Sequence, residues 1–229
     1  MIYLYYALLA VVSYLIGNVN FARVVAKFKK DDITKHGSGN PGTLNAWRSY
    51  GFWPGFLTFF LDMLKGLIPT LTAYLTFGYL GCEPEIAAYI AAFSVVLGHI
   101  FPMIFKFKGG KGIATSIGVF VVLNWWVALI VFAFMVLGML FVKYASIFTI
   151  GFVVVMSVIE ILLINPVHWV NYIFLSGILL LVVYAHRANI KRLLQGKENK
   201  TELLSMLKGL GKKKAKVVVE EKSEQEAEK

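Results

Sequence analysis

The chain has 229 residues, 58% of them apolar and 15% aromatic, with only 16% charged and a mean hydropathy of +0.70. So much apolar surface cannot close into a water-soluble core, which excludes a soluble domain and points to an integral membrane protein. The net charge of +10 would elsewhere suit a nucleic-acid binder, but the cations gather in short polar links and in the tail after Ala188, so no nucleic-acid partner is expected.

Crossing the hydrocarbon takes about 20 apolar residues per helix, and such runs recur from Met1 to Ala185. The first, Ile2 to Val25, lacks a basic leader and a small-residue cleavage site, so it reads as a retained span. The second starts at Trp53-Pro54, where proline suits a helix start, and runs to Tyr79. The third covers Ile86 to Phe105. The apolar stretch from Ile113 to Val142 is too long for one ordinary helix and is split here into two spans at "NWW". A further span follows "KYAS" and runs to Leu163, and after the turn "NPVH" the last ends at "YAHR".

The fold class expected is thus an all-α membrane protein of seven transmembrane helices, N-terminus outside and C-terminus cytoplasmic. With that count, residues 26–51, 106–112, 143–145 and the tail share one side, and all Lys and Arg except Lys65 fall on or near it. Positive charge marks the cytoplasmic side. Residues 1–189 form the membrane domain, and 190–229 a charged tail, mixed in sign and poor in aromatics, expected to be disordered.

Every glycine-rich polar motif opens at that one face. In "HGSGNPG" the glycines allow successive amides to point into a concavity that receives an anion. Ser38, Asn40 and Asn45 add neutral donors, and Arg48 adds a planar cationic fork suited to phosphate. A glycine-rich turn solvated by lipid headgroups is the plainer alternative. "FKGGKG" brackets Lys111 with glycines just before a helix start, an arrangement that favours anions. It lacks the spacing of the nucleotide-binding loop, so a nucleotide triphosphatase is not expected; a basic cytoplasmic turn is the alternative. "HRANIKR" supplies His186 and Asn189 on one helical face, and its Arg187, Lys191 and Arg192 also suit a stop-transfer cluster.

Within the membrane, Asp62 and Lys65 stand at i and i+3 and read as a structural ion pair. His99 points to the site or serves packing, and Glu160, near the outer end of its span, is expected at the headgroups. The lone Cys82 excludes an internal disulfide. No nucleophile elbow or HExxH motif is present, so any chemistry would rest on positioning and charge stabilisation. A transporter for a phosphorylated metabolite or a noncatalytic headgroup-binding protein could use the same loops, but the motifs lie at the membrane edge and no internal repeat is visible.

Taken in order, "SYLIGNVNFA", "HGSGNPGTLNAWR", "DMLKG", "LGHIFP", "FKGGKG", "KYAS" and "HRANIKRLLQGKE" resemble the bacterial acyl-phosphate:glycerol-3-phosphate acyltransferases, the PlsY family, over about residues 1–200. The resemblance implies transfer of a fatty acyl group from acyl phosphate to the sn-1 hydroxyl of glycerol 3-phosphate, at the cytoplasmic face of the bacterial plasma membrane. Lysophosphatidic acid and phosphate are the products. It implies no metal or other cofactor. Its partners would be glycerol 3-phosphate, acyl phosphate, the lipid bilayer and a soluble enzyme that makes acyl phosphate. Matched by position, the catalytic candidates are Ser38, Arg48, Lys111, His186 and Asn189. The substrate- and phosphate-binding candidates are Gly37, Gly39, Asn40, Asn45, Gly109, Gly110, Gly112, Thr115, Ser146 and Thr149. The chain departs from the family in reading "GTLN" where "GATN" is commoner, in Lys143 where arginine is frequent, and in Thr149 where serine is usual.

Overall fold

The computed structural model describes residues 1–163 and 169–201. The "NPVH" turn and the "GKKKAK" tail lie outside them. Among the described residues all regular structure is helical: α1 Ile2–Asn18, α2 Phe21–Phe28, α3 Thr43–Tyr50, α4 Phe52–Tyr79, α5 Pro84–Ile100, α6 Ile113–Phe141, α7 Ala145–Leu163, α8 Trp169–Ala185 and α9 Arg187–Leu194. Five stretches are long and apolar enough to span a membrane, one of them Ile2–Phe28, and α8 with α9 makes a sixth if that pair, bent by 56°, is taken as one.

The first span is not one continuous helix, as its hydropathy suggested. The backbone turns extended at Val19 and Asn20, and the Asn20 side chain accepts the Arg23 amide at 2.9 Å to start α2. Breaking a helix at membrane depth strands backbone groups that lipid cannot satisfy. The buried Asp62–Lys65 pair of α4, 2.8 Å apart, supplies the partners: Lys65 Nζ donates to the carbonyls of Gly17 and Val19, and Asp62 accepts from the Phe21 amide. The ion pair is structural, as read from the sequence, and its task is to hold this break.

The long stretch Ile113–Phe141 is broken at Asn124, whose φ of −156° and ψ of 76° leave the helical region. A straight helix of 29 residues would be about 43 Å long, yet Gly112 and Ile113 at one end and Met135 and Met139 near the other line one cavity. The chain therefore folds back at Asn124, where the sequence placed the boundary between two spans. Glu160, expected at the headgroups, is packed among side chains: it is 4% exposed and takes the Tyr89 hydroxyl at 3.2 Å, with the Asn124 side chain as a neighbour. A carboxylate inside the bundle thus secures the turn.

Small residues let the helices close around the site. Gly17 of α1 faces Gly98 of α5, and α4 meets the first arm of α6 at Gly66 and Gly118. A Cβ on Gly98 would come within 2.1 Å of the Tyr14 carbonyl oxygen. Gly98→Val should therefore destabilise the protein by about 1–3 kcal/mol, read as a lower Tm in detergent; an unchanged Tm would mean that α1 and α5 do not approach so closely.

Candidate active site

Between positions 33 and 51 the chain forms a short 3-10 turn at Ile33–Lys35, a glycine-rich loop and then α3. Asn45, on the first turn of α3, shapes that loop. Its Oδ1 accepts the Ser38 amide at 3.0 Å, and its Nδ2 donates to the carbonyls of Ile33 (3.2 Å) and His36 (3.0 Å). Gly37, at φ +53°, passes so near that a Cβ there would lie 2.3 Å from Asn45 Oδ1. Asn45 is thereby committed to the loop, although the sequence suggested a substrate donor.

The second loop docks beside the first. Arg23 of α2 donates to the Lys108 carbonyl at 3.2 Å and lies over the Phe105 ring. Gly109 and Gly110 fold onto His99, where a Cβ at Gly110 would meet the ring Nε2 at 2.2 Å. This close fit turns Lys111 into the bundle.

Segments far apart in the chain then line one cavity of about 360 Å³. Its polar end holds Ser38, Asn40, Asn45, Arg48, Lys111, Gly112, Ser146, Thr149, His186 and Asn189. Leu44, Trp47, Phe52, Phe56, Phe59, Ile117, Phe132, Met135 and Met139 form an apolar wall. Gly37, Gly39, Gly109, Gly110 and Thr115, expected at the binding surface, do not line it. The first four shape the loops behind it, and the Thr115 backbone packs against Gly66 of α4.

Lys111 Nζ donates to Asn189 Oδ1. Burial pulls its ammonium down to about 8, with Glu198 opposing the shift and Arg192 and Arg48 adding to it. His186 is 1% exposed, and its Nδ1 lies 2.9 Å from the Val182 carbonyl oxygen. A carbonyl only accepts, so Nδ1 carries the proton; burial and the Lys111 charge pull the ring down to about 4, so at neutral pH Nε2 keeps its lone pair. The Thr149 hydroxyl donates back to the Ser146 carbonyl at 3.2 Å.

Asp62 and His99 also line the cavity, and Glu198, Asn199 and Thr201 reach it from the segment after α9. The domain boundary expected between residues 189 and 190 falls inside α9, and the chain keeps contact with the site up to Thr201. One sequence signal marked this segment: Glu198 is the lone acid among the many bases of residues 187–200.

A helical bundle with membrane-length spans around a cavity lined by both cations and apolar side chains defines an integral membrane protein with an amphipathic pocket. The sequence matches the family model of glycerol-3-phosphate acyltransferase over residues 7–196. It is 37% identical over 196 residues to the glycerol-3-phosphate acyltransferase of Clostridioides difficile (85% of this chain, 95% of that one). It is 39% identical over 198 residues to that of Aquifex aeolicus (84% and 97%). The fold is similar to the crystal structure of PlsY, an integral membrane glycerol 3-phosphate acyltransferase, in its glycerol 3-phosphate form, with a TM-score of 0.79 at 36% identity (88% of this chain, 98% of that one). The lysophosphatidic acid form of that protein matches with a TM-score of 0.77. The chain belongs to the glycerol-3-phosphate acyltransferase family and is a multi-pass integral membrane protein.

Asn45→Ala removes the three hydrogen bonds that tie the loop to α3, leaving the Ile33 and His36 carbonyls only their backbone partners, at a cost of about 1–3 kcal/mol. Trypsin cleavage at the loop's Lys35 should then quicken severalfold over wild type in a limited digest; equal protection would contradict the role given to Asn45.

Proposed function

We propose that the protein transfers a fatty acyl group from acyl phosphate to the sn-1 hydroxyl of glycerol 3-phosphate, releasing lysophosphatidic acid and inorganic phosphate at the first committed step of phospholipid synthesis. One observation carries this reading: two cations, the half-buried Lys111 and the more exposed Arg48, line a cavity much of whose remaining wall is aromatic and aliphatic. A phosphate fits the first part and an acyl chain the second. Curated relatives named as glycerol-3-phosphate acyltransferases support it.

In the proposed step the glycerol hydroxyl oxygen attacks the acyl carbonyl carbon, and the bond from that carbon to the phosphate oxygen breaks. Phosphate leaves, and the hydroxyl proton passes to it or to His186 Nε2. Arg48, Lys111 and the loop amides offset the charge of the two phosphates, while Ser38, Ser146 and Asn189 orient them. No covalent acyl-enzyme is needed. The fold-back at Asn124 supports counting the 113–123 and 125–141 arms as two spans, which makes seven. The segregation of Lys and Arg supports a cytoplasmic site, an external N-terminus and residence in the bacterial plasma membrane. A soluble enzyme making acyl phosphate would deliver its product to this face.

The test follows phosphate release and lysophosphatidic acid from purified protein given acyl phosphate and glycerol 3-phosphate. Lys111→Ala and Arg48→Ala should each lower kcat/KM by about 10²–10³. Lys111 is charged below a pKa of about 8 and neutral above it, so the wild-type kcat/KM should fall as pH rises through that value. Undiminished acylation in both variants would refute the assignment.

A further inference from the structure

The strap after α9 reaches the cavity, bonding Arg48 directly and Lys111 by way of Asn189. A left-handed turn at Gly196 (φ +65°) sends the chain back from α9 toward α3 and α7. The Thr201 amide donates to the Lys143 carbonyl at 2.6 Å, and the Thr201 hydroxyl accepts from Arg48. Between these anchors Glu198 enters the site, its side chain only 5% exposed. Its Oε1 accepts from Ser146 Oγ at 3.1 Å and from Asn189 Nδ2 at 2.6 Å, and its Oε2 accepts from Arg192 Nε at 2.9 Å. Asn189 and Arg192 are one turn apart on α9 and Ser146 begins α7, so one carboxylate joins two helices.

We propose that Glu198 is a positioning residue for acyl transfer, fixing the orientation of the Asn189 amide and through it the placement of the Lys111 ammonium. The inference rests on the reading of Lys111 as a phosphate ligand. An ammonium only donates hydrogen bonds and a carboxylate only accepts them. An amide between the two satisfies both in a single orientation, with Oδ1 toward Lys111 and Nδ2 toward Glu198. Without the carboxylate, the amide can turn its NH2 toward Lys111, and the ammonium then loses its acceptor.

Charge adds to geometry. Arg48 from α3, His186 at the α8–α9 junction, Asp62 from α4 and His99 from α5 line the cavity with Lys111, and Arg192 from α9 lies behind it, paired with Glu198. Asp62 is paired with Lys65. Glu198 is therefore the acid that faces Lys111, opposing the burial that drives its proton off. Burial pushes the Glu198 carboxyl up, but hydrogen bonds from Asn189, Arg192 and Ser146 and the Arg192 charge outweigh it and hold the group below the usual carboxylate range. It stays an anion at neutral pH.

The experiment compares full-length wild type with Glu198→Gln, Glu198→Asp and Lys111→Ala, measuring kcat, KM for glycerol 3-phosphate and the pH profile of kcat/KM. Glu198→Gln should lower kcat/KM about tenfold or more and move the basic limb to lower pH. Glu198→Asp, which keeps the charge, should leave that limb in place and restore part of the loss. A Glu198→Gln enzyme with wild-type kcat/KM and pH profile overturns the proposal. So does a lower KM with kcat retained, since that would make Glu198 only an occupant that substrate phosphate displaces. If Glu198→Gln does not fold, an unshifted limb with lowered kcat/KM in Glu198→Asp supports the proposal and an unchanged kcat/KM overturns it. Full activity in Lys111→Ala would instead defeat the underlying reading of the site, whereas an inactive Lys111→Ala beside an unaltered Glu198→Gln defeats the positioning role alone.

Discussion

Holding partly desolvated cations against an apolar bundle is the constraint to which the rest of this structure answers. Arg48 and Lys111 both lose water in the cavity, and the burial of Lys111 is deep enough to pull its ammonium to about 8. A cation so placed is costly unless an anion or hydrogen-bond acceptors compensate it. Asn189, Glu198 and Thr201 provide part of that compensation from the chain itself. A doubly charged phosphate would provide the remainder, so that the cost of desolvating these cations favours an anionic substrate.

The bundle holds this site by spending polar groups where lipid offers none. Asp62 and Lys65 satisfy the broken ends of α1 and α2, and Glu160 sits beside Tyr89 and the bend at Asn124. Both breaks serve the cavity. The first brings the loop after α2 under α4; the second returns the far arm of α6 so that Phe132, Met135 and Met139 face Phe59 and Ile117. Glycines at the α1–α5 and α4–α6 contacts let these helices approach at backbone distance.

Helical class, membrane residence and the polar islands were legible in the sequence because hydropathy and charge vary on the scale of whole spans. The split at "NWW" was legible for the same reason, since Ile113 to Val142 exceeds one span. The break at Val19 was not: two asparagines in an apolar run change local hydropathy little, and only Asp62 and Lys65, more than forty residues away, make the break affordable. The partners of Glu160 were not legible because they come from α5 and α6. At the site, Lys111, Arg48, His186 and Asn189 carried their own motif signals. Asn45 and the loop glycines carried the same polar signature but turned out to shape backbone, a distinction set by which carbonyls fall within reach. Glu198 lay in a segment whose composition resembled a solvated tail; that it folds back onto α7 depends on Ser146, Asn189 and Arg192 together.

Direct binding of glycerol 3-phosphate to the purified protein, measured calorimetrically at neutral pH without acyl donor and set against glycerol, tests the central claim that Arg48 and Lys111 form a phosphate site. The account predicts saturable binding of glycerol 3-phosphate, no detectable binding of glycerol, and loss of the former in Lys111→Ala. Equal binding of both ligands, or glycerol 3-phosphate binding that survives removal of the Lys111 ammonium, would contradict it.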